Sequence, residues 1–107
     1  MRKVLLFSLF FFAFAGAAFA TDDVIKIGVY NALTGQSAYG GQLELEGTQL
    51  AHKEIPEVLG KKVVLVVVDN KSDKVEAANA VTRLIEHDKV NAIIGTYGSS
   101  LAMAGGE

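Results

Sequence analysis

Six consecutive apolar residues, Val63-Val64-Leu65-Val66-Val67-Val68, run between Lys62 and Asp69 without one polar interruption. A strand with one wet face would alternate apolar and polar side chains. An unbroken apolar run belongs to a strand covered on both faces, as in parallel sheets packed between helices. Its neighbours fit that architecture. Val24-Ile25-Lys26-Ile27-Gly28-Val29-Tyr30 is rich in β-branched residues and reads as a strand, and Val90-Asn91-Ala92-Ile93-Ile94 reads as a third, closed by Gly95. Between strands one and two, the three-to-four spacing over Gln42–Ile55 predicts a helix with Leu43, Leu50 and Ala51 on its apolar face. Pro56, the only proline, should end that helix at Ile55.

Asp73 and Glu76 form a D-x-x-E pair suited to a helix N-terminus, as cap and reciprocal N3 partner. The helix they open should run to about His87, burying Ala77, Ala78, Val81, Leu84 and Ile85. The order is β-α-β-α-β with the start of a further helix at Ser99. The fold class is therefore α/β, a Rossmann-like lobe around a parallel sheet with crossover helices. Ligands of such sheets sit beyond the carboxyl ends of the strands, where the strand order reverses. For an order 2-1-3, the loops at that point are Asn31–Gly41 and Gly95–Ser100, the stretches richest in Gly, Ser, Thr and Tyr.

Residues 1–20 stand apart from the fold. Arg2 and Lys3 precede an apolar run from Val4 to Phe19, broken only by Ser8 and Gly16, and Ala18-Phe19-Ala20 fits the small-x-small cleavage rule. The run is short beside the roughly 20 residues of a bilayer span. The reading is an export signal, cleaved after Ala20, and a periplasmic destination. Losing Arg2 and Lys3 would take the net charge from −2 to −4. That balance supplies no basic stripe for nucleic acid. The absence of cysteine excludes disulfides, thiol nucleophiles and thiolate metal sites. Residues 21–107 are expected to be the N-terminal part of a longer protein, because the text stops inside a helical pattern at Gly105-Gly106-Glu107.

Chemistry-bearing motifs are few. No G-x-G-x-x-G follows the first strand, no G-x-x-x-x-G-K-[ST] occurs, and no serine sits in G-x-S-x-G. His52 and His87 are far apart and lack a second ligand nearby, so neither a metal nor a cofactor is expected. Asp69 ends the second strand, where it can cap a loop. Gly95-Thr96-Tyr97-Gly98-Ser99-Ser100 leads from a strand into a helix start, a place whose free N–H groups favour anions such as carboxylates. Ser99 can cap that helix, a common role for serine, or offer its hydroxyl to a ligand oxygen. Tyr39 can line a ligand or cover the sheet edge, and Tyr97 can do the same from the third-strand loop.

The segments Ile27-Gly28-Val29, Leu33-Thr34-Gly35 and Ala38-Tyr39-Gly40 open a pattern that continues through Gly47, Leu50-Ala51, Glu54 and Leu59-Gly60. It goes on through Val64-Leu65, Asp69, Ser72-Asp73, Ala77-Ala78, Leu84-Ile85 and Val90–Gly95 to Ser99-Ser100 and Ala104. In order and spacing this resembles type I periplasmic binding proteins of the Leu/Ile/Val family, across nearly all of residues 21–107. Pro56-Glu57-Val58 stands where that pattern has an asparagine–glycine pair, and Lys74 where it often has proline.

The resemblance implies two α/β lobes that close on a ligand, of which this chain holds part of the first. It implies ligand contacts from Tyr39, Tyr97, Gly98, Ser99 and Ser100, with Ser99 on an α-carboxylate. It also implies a non-enzymatic role: the extracytoplasmic component of an ABC transporter, taking branched-chain or other amino acids or related carboxylates and amides to a membrane permease. A ligand-sensing receptor domain of the same fold is the alternative, with an exported α/β enzyme further behind.

Overall fold

The computed structural model describes residues 24–107. They form β1 (Val24–Asn31), α1 (Ala38–Glu54), β2 (Glu57–Val58), β3 (Lys61–Asp69), α2 (Lys74–Glu86), β4 (Ala92–Ile94) and α3 (Ser99–Gly106). The sheet order is β2-β3-β1-β4. β1 lies parallel to β3 over its whole length, Val24 opposite Lys62 and Asn31 opposite Asp69. On its other side β1 runs parallel to β4, with Ile27 opposite Ala92. The three long-range strands thus take the expected 2-1-3 order, with the reversal at β1.

The unexpected element is β2, which pairs antiparallel with the start of β3, Glu57 opposite Lys62 and Val58 opposite Lys61. Two residues carry no periodicity to read. What makes the ribbon is the turn between them: Leu59 at φ 53 and Gly60 at φ 74 are both left-handed, the conformation of a two-residue hairpin loop. The Val63 N–H donates to the Pro56 carbonyl and lengthens the ribbon by one bond.

α2 and α1 meet opposite faces of the sheet. Gly28 faces α2, where an added Cβ would lie 2.9 Å from Leu84 Cδ1. The core is centred here on Tyr30, Ala32, Ala77, Ala80, Leu84 and Leu101, with Val66, Val68, Val81, Val90, Ile93 and Ala104 against it. Ala77, Ala80 and Leu84 form the buried stripe of α2. Ile85, expected there, is exposed; it stands one 100° step round the helix from Leu84. Asp73 caps α2 as expected, accepting from the N–H groups of Val75 and Glu76. The reciprocal half of the capping box does not form. The Asp73 N–H already donates to the Asn70 carbonyl, and Glu76 turns instead to Lys71 Nζ at 3.6 Å.

α1 begins earlier than expected, at Ala38, and closes on Ile55, whose N–H reaches the Ala51 carbonyl just before Pro56. Its N-terminal end presses on the strand: Gly41 backs onto the Ala32 carbonyl so closely that no side chain fits. Farther along, His52 Nε2 lies 2.8 Å from the Val63 carbonyl oxygen. Leu43, Leu50 and Ala51 do not form a buried face; all three are exposed. α1 stands off the sheet there, over an open apolar cavity of about 210 Å³ lined by Ile27, Ala51, Ile55, Leu65 and Ile94 among others. The expected export signal and its expected cleavage point at Ala20 lie outside the described residues.

Candidate ligand-binding site

Three loops leave the carboxyl ends of β1, β3 and β4, and side chains of the middle loop fasten all of them. Asp69, the last residue of β3, accepts from the Leu33 N–H at 2.9 Å, the Thr34 N–H at 3.2 Å, the Thr34 hydroxyl at 2.6 Å and the Lys71 N–H at 2.8 Å. Partial burial acts to raise its pKa, but the bonds from Thr34, Lys71 and Leu33 outweigh it and hold the carboxyl below its usual value. Asp69 is the loop-capping aspartate that its position at a strand end suggested. Ser72 adds a second tie. Its Oγ donates to the Thr34 carbonyl at 2.7 Å and accepts from the Ser37 N–H at 3.0 Å.

Asn70 joins the third loop. Its side chain is fully buried, and Nδ2 donates to the Tyr30 carbonyl at 3.0 Å and to Thr96 Oγ1 at 2.8 Å. Its Oδ1 accepts from the Ser72 N–H at 3.0 Å. Across the rim, the Tyr97 ring lies against Gly40 in the first turn of α1. On the face toward α1, Asn31 is buried and donates through Nδ2 to the Gly41 carbonyl at 3.2 Å, while its Oδ1 has no partner among the described residues. Asn31, Asn70, Ser72 and Thr96 carried no signal beyond being polar residues at the ends of apolar strands. Their partners lie up to 40 residues away in the chain.

The residues expected to meet a ligand all lie on this rim. Tyr39 is 80% exposed in the first turn of α1, and Tyr97 is half exposed beside it on the opposing loop. Gly98 takes φ 105, a conformation open to glycine, and is itself the N-cap of α3. Ser99 is therefore not the cap: it is the first helical residue, and no side chain caps this end. The Gly98 carbonyl takes the N–H groups of Leu101 and Ala102. The N–H groups and hydroxyls of Ser99 and Ser100 have no acceptor among the described residues, and both residues are exposed. A helix start with two free N–H groups and two free hydroxyls can receive an anionic oxygen. Among the described residues there is no group of three His, Cys, Asp or Glu that could hold a metal. None of their helices is long and apolar enough to cross a membrane.

A parallel sheet reversing at β1, with its loops gathered into one rim, matches part of one lobe of the type I periplasmic binding fold. Residues 24–107 match the family described as periplasmic binding protein, and the chain belongs to that family. Among solved structures it is similar to the leucine-binding protein LivK of Thermotoga maritima, at 46% identity and a TM-score of 0.73 over 75% of this chain and 23% of that one. It is similar to the branched-chain amino-acid substrate-binding protein LivJ of Streptococcus pneumoniae in complex with isoleucine. Identity there is 38% and the TM-score 0.75, over 77% of this chain and 24% of that one. A solute-binding protein from Rhodopseudomonas palustris in complex with 3,4-dihydroxybenzoic acid matches at 30% identity and a TM-score of 0.71, over 77% of this chain and 23% of that one. This chain thus spans under a quarter of the length of these relatives. Likeness to curated protein sequences does not reach significance. These homologues are solute-binding proteins, not enzymes.

Proposed function

We propose that this chain is the first-lobe part of an extracytoplasmic solute-binding protein that delivers amino acids or related small carboxylates to an ABC-transporter permease. In this reading residues 1–20 direct export and are removed after Ala20. The ligand sits between this rim and a second lobe encoded beyond Glu107. Its carboxylate meets the Ser99 and Ser100 N–H groups and the Ser99 hydroxyl, while Tyr39 and Tyr97 flank its side chain and Gly98 lets it approach the backbone.

One observation carries the reading: unspent donors converge at the start of α3, at the carboxyl end of a parallel sheet. Support comes from the relatives. Isoleucine and 3,4-dihydroxybenzoic acid, bound in two of them, share a carboxylate and little else. Titration calorimetry of the full-length protein with leucine, isoleucine and benzoate tests it. Binding of a carboxylate, lost when the same ligand is presented as its amide, is the expected result. Binding of none of them, or equal binding of the amide, overturns the assignment.

A further inference from the structure

Every hydrogen-bonding group of Asn70 is engaged, and each engagement ties a different part of the rim. Its N–H donates to the Asn31 carbonyl and its carbonyl accepts from the Asp73 N–H. Its side-chain oxygen holds the Ser72 N–H, and its amide nitrogen holds the Tyr30 carbonyl and Thr96 Oγ1. The orientation of the amide follows from those partners. The Tyr30 carbonyl can only accept and the Ser72 N–H can only donate, so the nitrogen must face the first and the oxygen the second. Aspartate, with no donor when ionised, could not fill this position in the same way.

The bond to Thr96 stands out because of what else restrains the β4–α3 loop. Among the described residues, apart from the Leu101 and Ala102 N–H groups of α3 that reach the Gly98 carbonyl, Asn70 to Thr96 is the one hydrogen bond from another element to residues 95–98. Otherwise the loop rests on packing: the Tyr97 ring on Gly40, and Gly95 against the Tyr30 ring. β4 itself is only three residues long and hydrogen-bonds to β1 over Ile27–Val29. A short strand with one polar tie leads into α3, whose body is held separately by Leu101 and Ala104 in the core.

We infer that Asn70 is a positioning residue of the ligand site, which through Thr96 holds the β4–α3 loop so that Tyr97 covers Gly40 and α3 starts at the rim. The inference rests on the carboxylate-binding reading above for its effect on affinity, but not for its effect on the loop. Asn70 touches no ligand in this account. It acts through the loop.

Asn70→Ala would strip the Tyr30 carbonyl and the Ser72 N–H as well, and would report on folding as much as on the loop. Thr96→Val removes only the acceptor for Asn70 at nearly constant shape, and Thr96→Ser restores it. In the unliganded full-length protein, the Gly40 proton resonances should carry the ring-current shift of Tyr97. Thr96→Val should abolish most of that shift, and Thr96→Ser should return it. Leucine, used as the probe, should bind roughly three- to tenfold more weakly to the valine variant and normally to the serine variant. Gly40 shifts that stay in place in Thr96→Val overturn the inference, even if affinity falls, because Thr96 would then act on the ligand directly. Should the wild type bind no leucine, the amino-acid reading fails, and the Gly40 shift still decides the role of Asn70.

Discussion

The ring of Tyr97 lies face-on over Gly40: a methyl group built on that glycine would sit 2.7 Å from Cδ1, Cδ2 and Cε1 of the ring alike. Contact with three ring atoms at one distance marks stacking on the face rather than the edge. Tyr97 is half exposed and can swing away, so Gly40→Ala should displace the ring rather than unfold the lobe. Alanine also favours the helix by up to about 1 kcal/mol. The expected outcome is unchanged or raised thermal stability together with weaker ligand binding, read by melting and calorimetry on one sample.

Ser99→Ala separates anchoring from capping. Gly98 is the N-cap and the Ser99 hydroxyl bonds to nothing among the described residues, so unfolding free energy should stay within about 0.5 kcal/mol of the wild type. A carboxylate ligand would lose one charge-assisted hydrogen bond, worth about 1.5–3 kcal/mol. That corresponds to roughly 10- to 150-fold in dissociation constant. A fall in stability with unchanged affinity would place Ser99 in the scaffold instead.

Asp69 predicts an acid-sensitive rim. Its carboxyl is more acidic folded than free, so its contribution is fully present above the unfolded value near pH 4 and is lost as pH falls through the folded value. Asp69→Asn can keep a carbonyl oxygen on the Leu33, Thr34 and Lys71 N–H groups, but it removes the charge behind those bonds and puts an amide donor where Oδ2 accepts from the Thr34 hydroxyl. It should cost about 2 kcal/mol at neutral pH. The gap in melting temperature between wild type and variant should hold from pH 7 to 5 and narrow below about pH 4. A gap independent of pH would show that the charge on Asp69 does not matter.

Two glycines should respond in opposite directions to alanine. A Cβ on Gly95 would enter the Tyr30 ring, which cannot retreat because Gly105 closes its other side. Overpacking of this kind costs about 1–3 kcal/mol. Gly47, inside α1, has nothing within 4 Å of an added Cβ, and alanine there should stabilise by about 0.5–1 kcal/mol. Urea titrations of the two variants check both signs.

What could be read from the sequence was what is encoded locally. The strand at Val63–Val68, the strand at Val24, the Asp73 cap and the stop at Pro56 each depend on a few neighbouring residues, and each has its counterpart in the fold. Val64 and Val67 are exposed, however, so the strand is not covered on both faces as its unbroken apolar run implied. The start of α1 was hidden because Gly40 and Gly41 look like breakers. They lie inside the helix because close approach to Tyr97 and to the Ala32 carbonyl needs them small. β2 was invisible because its cause is the left-handed pair Leu59-Gly60, in which leucine is an unusual occupant. The rim divides in the same way. Tyr39 and Tyr97–Ser100 could be placed by composition and position, whereas the Asn70 bonds to Tyr30 and Thr96 span 40 and 26 residues and leave no local trace.

The clamped ring of Tyr30 carries a further consequence. Gly95 lies against one side of the ring and Gly105 of α3 against another, and burial pushes the phenol pKa up. A half-turn of the ring about its own axis needs more width than a close-packed wall leaves. Each flip must therefore wait until β4 and α3 draw apart, a local opening of the lobe. Tyr30 is in effect a turnstile: the rate at which its paired ring protons exchange counts how often the wall behind the rim breathes.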